Sequence, residues 1–168
     1  MSLSRYFYLA VFLACLSLLG FGLYLEHSKG LEPCPLCVFQ RIAYIAVMLI
    51  ALVAAIHDPR KWGRNIYFGL TFIAAAIGAG IAGRQTWLQH LPADEVPACG
   101  PGLDYMLEVF PLADALEMIL TGSGECAEVQ WTFIGLSIPE WSLICFSLIL
   151  IASIIVLIKS RQERQLFR

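Results

Sequence analysis

The stretch YFYLAVFLACLSLLGFGLYL, residues 6–25, decides the fold, because it runs from Arg5 to Glu26 without a charge. As an α-helix rising about 1.5 Å per residue it matches the roughly 30 Å hydrocarbon layer of a bilayer. A soluble core helix of that length would show a polar face, and this one shows none. Residues 38–56, 66–88 and 141–158 repeat the pattern, with Gln40 and Arg41 near the start of the second run and Arg84 near the end of the third. The whole chain of 168 residues is 59% hydrophobic and 14% charged. Its mean hydropathy of +0.74 leaves too little polar surface to coat a soluble domain. A net charge of −2 offers nothing basic to nucleic acid. An ordinary soluble enzyme, a disordered tail and a nucleic-acid binder are thereby excluded. The expected architecture is all-α: a single domain over residues 1–168, built as a four-helix transmembrane bundle in the lipid bilayer. External loops are expected at about 26–37 and 89–140.

The first run is longer than the apolar core of a signal peptide, and no small-x-small cleavage site follows it, so it is read as a retained helix. Orientation follows from the basic residues. Arg5, Arg60, Lys61, Arg64, Lys159, Arg161, Arg164 and Arg168 fall on one side, and only Lys29 on the other. The link from residue 89 to 140 has no Lys or Arg and many carboxylates. Both termini are therefore expected in the cytoplasm and the first and third links outside. Within the long link, apolar residues from Tyr105 to Leu120 alternate with carboxylates over two short helical stretches broken near Pro111. Such a segment suits the membrane surface or a small cap on the bundle.

Six cysteines are divided by this topology. Cys15 and Cys145 lie inside the first and fourth helices, where a thiol behaves as a small apolar residue. Cys34, Cys37, Cys99 and Cys126 fall in or at the edge of the outer links, where disulfides persist. Cys34-Pro35-Leu36-Cys37 opens the second helix, and the unpaired N–H groups there favour a thiolate. Arg41 lies one turn deeper on the face of Cys37. It either stabilises a thiolate or a polar ligand group at the membrane edge, or snorkels to the interface. For the cysteines three readings stand: a redox pair with a partner pair, two structural disulfides in a membrane scaffold, or a four-cysteine zinc site. The second C-x-x-C that would make zinc strong is absent, and no metal site is assigned. Gly78-x-Gly80-x-x-Gly83 spells a dinucleotide fingerprint, but with no preceding strand it is read as close helix packing.

This pattern resembles the bacterial disulfide bond formation protein B (DsbB) family over essentially the whole chain. The motifs are Pro33-Cys34-Pro35-Leu36-Cys37 with Arg41, Cys99 after a proline-containing stretch, and Gly124-Glu125-Cys126-Ala127-Glu128 followed by Gln130-Trp131. Disulfide generators of the vitamin K epoxide reductase type share the chemistry but place their C-x-x-C late in the chain. The resemblance implies an enzyme of the bacterial inner membrane, a thiol:quinone oxidoreductase that reoxidises the periplasmic thiol oxidase DsbA. It implies catalytic roles for Cys34, Cys37, Cys99 and Cys126 on the periplasmic side. Reduced DsbA would attack Cys99, the released Cys126 would engage Cys34, and Cys37 would face a quinone, ubiquinone or menaquinone, held with Arg41. DsbA stands at about −120 mV, so its regeneration needs an acceptor stronger than ordinary dithiols. Cys15 and Cys145 are additions to a bare four-cysteine pattern. Arg84 takes no family role and is read as snorkelling.

Overall fold

The computed structural model describes residues 3–59, 62–92, 94–98, 105, 108–122 and 124–166. Its long helices are α1 (Leu3–Lys29), α2 (Pro35–His57), α3 (Trp62–Gln89) and α6 (Ile138–Leu166). Between α3 and α6 come two short helices, α4 (Leu112–Thr121) and α5 (Gly124–Ala127), and a hairpin of β1 (Thr132–Phe133) with β2 (Leu136–Ser137). All four long helices are long and apolar enough to cross a membrane. Each outruns its apolar run, because the run measures hydrocarbon depth, while polar helix ends continue into the interfacial layer.

The helices form an antiparallel ring in which α1 packs on α2, α2 on α3 and α3 on α6, and α6 closes back on α1. Small residues set how close α3 and α6 come. Ala75, Gly78 and Ala82 share one buried face of α3, and a Cβ on Gly78 would lie 2.4 Å from the Phe146 ring. That ring stacks on Tyr44 of α2, with centroids 4.1 Å apart. The glycine string is thus packing, and only at Gly78 is it tight: nothing lies within 4 Å of a Cβ on Gly80. Around the outside, Leu13, Leu16, Leu49, Ile77, Leu148 and Ile151 are exposed. Water would not tolerate that belt, and lipid matches it.

The end of the bundle where α2 and α6 begin carries the rest of the chain. Ile119 of α4 is buried with Leu36, Ile81, Leu88, Cys34 and Cys126, while Leu116 and Leu120 stay exposed. The amphipathic segment therefore docks on the bundle through Ile119, with Met118 packed beside it. The hairpin turns through Ile134 and Gly135, both with positive φ (53° and 78°), the geometry that matches strand twist. Immediately after it, the Ser137 N–H donates to Glu140 Oε2 at 2.6 Å, closing a capping-box contact that starts α6. The Ser137 hydroxyl donates to Gln89 Oε1 at 2.7 Å and ties that start to the end of α3.

Candidate functional site

Pro35 suits the first turn of α2 because its missing N–H would be unpaired there anyway. Cys34 precedes it in extended conformation (φ −66°, ψ 163°) as the N-cap. The Cys34 and Cys37 sulfurs lie 3.0 Å apart. Leu36 between them is fully buried and anchors the motif against α3 and α4. From α5, the fully buried Cys126 enters the same cluster and hydrogen-bonds the Cys34 thiol. Cys34 therefore stands between Cys126 and Cys37. Hydrogen bonds to Cys126 and Cys37, together with burial, push the Cys34 thiol well above the usual thiol range. A thiol held in that state is a poor nucleophile.

From α3, the buried Gln85 donates its Nε2 to Cys34 Sγ and to Cys37 Sγ, each at 3.2 Å. Its Oε1 accepts from Gln40 Nε2 at 2.6 Å. Neither glutamine stands out in the sequence, where each sits beside an arginine inside an apolar run. The available signal is that a buried amide in a membrane helix needs a partner.

On the other side of Cys37, α1, α2, α6 and the hairpin enclose a cleft of about 550 Å³. Its walls are mostly apolar, with Leu18, Leu19, Trp131 and Trp141 among them. Its polar groups include Arg41, Glu26 and Gln40. Arg41 Nη1 and Glu26 Oε2 form an ion pair at 2.5 Å, with both side chains about one-third exposed or less (28% and 32%). Arg41 is therefore turned onto a carboxylate that lines the cleft with it. Glu26 was not a sequence candidate, since it lies on a different helix. Among the described cysteines, Cys37 and Cys145 line the cleft, and Cys34 does not. Cys15 is fully buried in the bundle core.

Arg84 has a different task from the snorkelling expected of it. Its Nη2 donates to the Thr121 carbonyl at 2.8 Å and its Nε to that of Leu120 at 3.4 Å. Its guanidinium lies 4.4 Å from the Trp87 ring centroid. It thus satisfies the last carbonyls of α4, where a cation also suits the helix dipole. Gly122 follows with φ +83°, and a Cβ there would lie 2.3 Å from Leu88 Cδ1. Gly124 N–H donates to the Ala98 carbonyl at 3.3 Å. These three contacts hold α4 and α5 so that Cys126 reaches Cys34. Cys99 lies outside the described residues.

Comparison with known proteins adds an independent finding. The family described as Disulfide bond formation protein DsbB matches residues 4–156. A disulfide bond formation protein B from Hahella chejuensis is 56% identical over 143 residues, covering 85% of this chain and 87% of its own. The protein of that name from Marinobacter nauticus is 48% identical over 161 residues, 96% of each chain. A third, from Nitrosococcus oceani, is 53% identical over 140 residues, covering 83% of this chain and 82% of its own.

Proposed function

The chain belongs to the DsbB family of disulfide bond formation proteins and is a multi-pass membrane protein, and from that premise we propose that it is a dithiol:quinone oxidoreductase. It sits in the bacterial inner membrane with both termini cytoplasmic and its redox cysteines periplasmic, and it reoxidises a DsbA-like thiol oxidase. The observation that carries this reading is the linear order Cys126, Cys34, Cys37, cleft.

The order supports the following exchange. A partner thiolate attacks Cys99 and forms a mixed disulfide with it as the Cys99–Cys126 bond breaks and the electron pair passes to Cys126. The partner's second thiol then displaces Cys99, which leaves as a thiol while the partner leaves as a disulfide. Cys126 then attacks Cys34. The Cys34–Cys126 bond forms as the Cys34–Cys37 bond breaks, and the pair leaves on Cys37. The buried, strongly hydrogen-bonded Cys34 suits the central position in that exchange. Cys37, which lines the cleft, is the sulfur from which electrons leave the protein. The cleft fits a quinone head group and the start of its tail: its volume is in the usual ligand range of about 300–1,000 Å³ and its lining is largely apolar. A bound quinone supplies an acceptor for two electrons and two protons. Arg41 would hold its oxygen and balance negative charge arising there, and Glu26 keeps that guanidinium in the cleft and compensated.

The test is quinone reduction by the purified protein supplied with reduced DsbA-like partner. Turnover that survives Cys34→Ser would sink the mechanism. Redox-inert external disulfides would instead favour a structural scaffold.

A further inference from the structure

A buried carboxamide in a membrane helix has few good partners, and Gln85 directs both recorded Nε2 hydrogen bonds at sulfur. A neutral thiol is a weak acceptor, whereas a negatively charged sulfur is a strong one. The arrangement is matched to an anion that forms during turnover. Gln40 Nε2 donates to Gln85 Oε1 at 2.6 Å, and the Cys37 thiol donates to the same oxygen at 3.6 Å, while the Gln85 amide nitrogen faces both Cys34 and Cys37.

We propose that Gln85 is a catalytic residue, the hydrogen-bond donor that holds the leaving sulfur of Cys37 during thiol–disulfide exchange, and that Gln40 is the positioning residue that aims it. The inference rests on the function proposed above. In the step concerned, the Cys126 thiolate attacks Cys34 Sγ, the Cys34–Cys126 bond forms and the Cys34–Cys37 bond breaks. The electron pair passes to Cys37 Sγ with no net oxidation. Gln85 Nε2 already lies 3.2 Å from that atom, so the developing charge meets a donor without rearrangement. The same donor steadies Cys37 until its electrons leave.

Other groups near Cys37 Sγ act on it too. Cys34 and Cys126 adjoin it, and Glu125 of α5 and Glu128 just after it line the small pocket it shares with Gln85. Arg41, Glu26 and Glu32 line the cleft on its other side. Replacement of Gln85 leaves all of them in place, so a change in Cys37 reactivity reports the carboxamide.

The experiment is alkylation of the reduced, detergent-solubilised full chain with iodoacetamide across a pH series, read by mass spectrometry on the peptide containing Cys37. In Gln85→Met the rate at neutral pH should fall about tenfold, the loss expected for a hydrogen bond to a charged group, and be regained at alkaline pH. The double variant Gln40→Met/Gln85→Met leaves no amide unpaired. It should unfold like the parent and show the same displaced profile, which removes misfolding as the cause. A profile identical to the parent in both variants overturns the role of Gln85. Neither quinone nor partner enters this measurement, so a parent that fails to reduce quinone overturns the proposed function separately.

Discussion

Two groups of cysteines lie within one bundle and differ in almost every property except residue type. In what we term the outer group, at the end of the bundle where α2 begins, Cys34, Cys37 and Cys126 meet at the start of a helix, with a carboxamide donor on two of the sulfurs and a cleft on one side. In the bundle, Cys15 and Cys145 flank Tyr44, among apolar side chains. On the proposed function, proximity alone does not make a redox centre in this fold. The outer group adds three things: N–H donors for negative sulfur, a chain segment that delivers a third sulfur, and access to a ligand. The inner group has close packing instead, and among its members only Cys145 touches the cleft.

The harshest way to break the comparison is to delete sulfurs from the outer group. Cys34→Ser, Cys37→Ser, Cys99→Ser and Cys126→Ser should each reduce partner-driven quinone reduction to the uncatalysed background, measured by quinone absorbance. An outer-group variant that retained turnover would make the two groups equivalent and end the distinction.

A lesser effect is expected where the cleft meets the outer group. Arg41→Ala removes a charge-assisted contact to the ligand and leaves Glu26 unpaired, so the apparent KM for quinone should rise about tenfold or more. Glu26→Gln should move the same parameter less, because the guanidinium remains. An unchanged KM in Arg41→Ala would return that residue to the role of an interfacial anchor.

What the sequence disclosed of this contrast follows from range. Cys34, Cys37 and Arg41 are neighbours along one helix, and helical periodicity alone puts them on one face. The four spans were legible for a similar reason, since bilayer thickness imposes a length on any apolar run. Gln85 meets Cys34 and Cys37 across about fifty positions, and Glu26 meets Arg41 from another helix, so no local pattern announces either. The hairpin was hidden by an adverse residue: Ile134 adopts a left-handed conformation that β-branched side chains avoid. Ser137-Ile138-Pro139-Glu140 did carry a capping-box signature, masked because the apolar run starts only at Trp141. Arg84 looked like an interfacial cation because the helix end it caps is formed by residues far along the chain.

Delivery of the third sulfur can be weakened without touching any sulfur. Arg84→Ala frees two carbonyls at the end of α4, and Gly122→Ala adds a strained φ and a contact with Leu88. Both should slow formation of the Cys34–Cys126 bond, trapped by acid quench and read by mass spectrometry. Gly122→Ala should cost about 1–3 kcal/mol of local stability, and Arg84→Ala about 1 kcal/mol or less. Bond formation at the parental rate in both would mean that Cys126 needs no such support.

The mildest change probes the inner group. Cys15 is fully buried in the core that also holds Tyr44 and Phe146, so Cys15→Ala exchanges sulfur contacts for a small void and should lower the thermal inactivation midpoint by a few degrees. Its quinone turnover should match the parent, since Cys15 touches neither the cleft nor the outer sulfurs. Cys145→Ala differs in kind, because that side chain lines the cleft wall. It should shift the apparent KM slightly while leaving kcat intact, as a contact that helps bind a ligand without joining the exchange must do. A fall in kcat would instead place Cys145 among the reacting sulfurs, and the boundary between the two groups would have to be redrawn through α6.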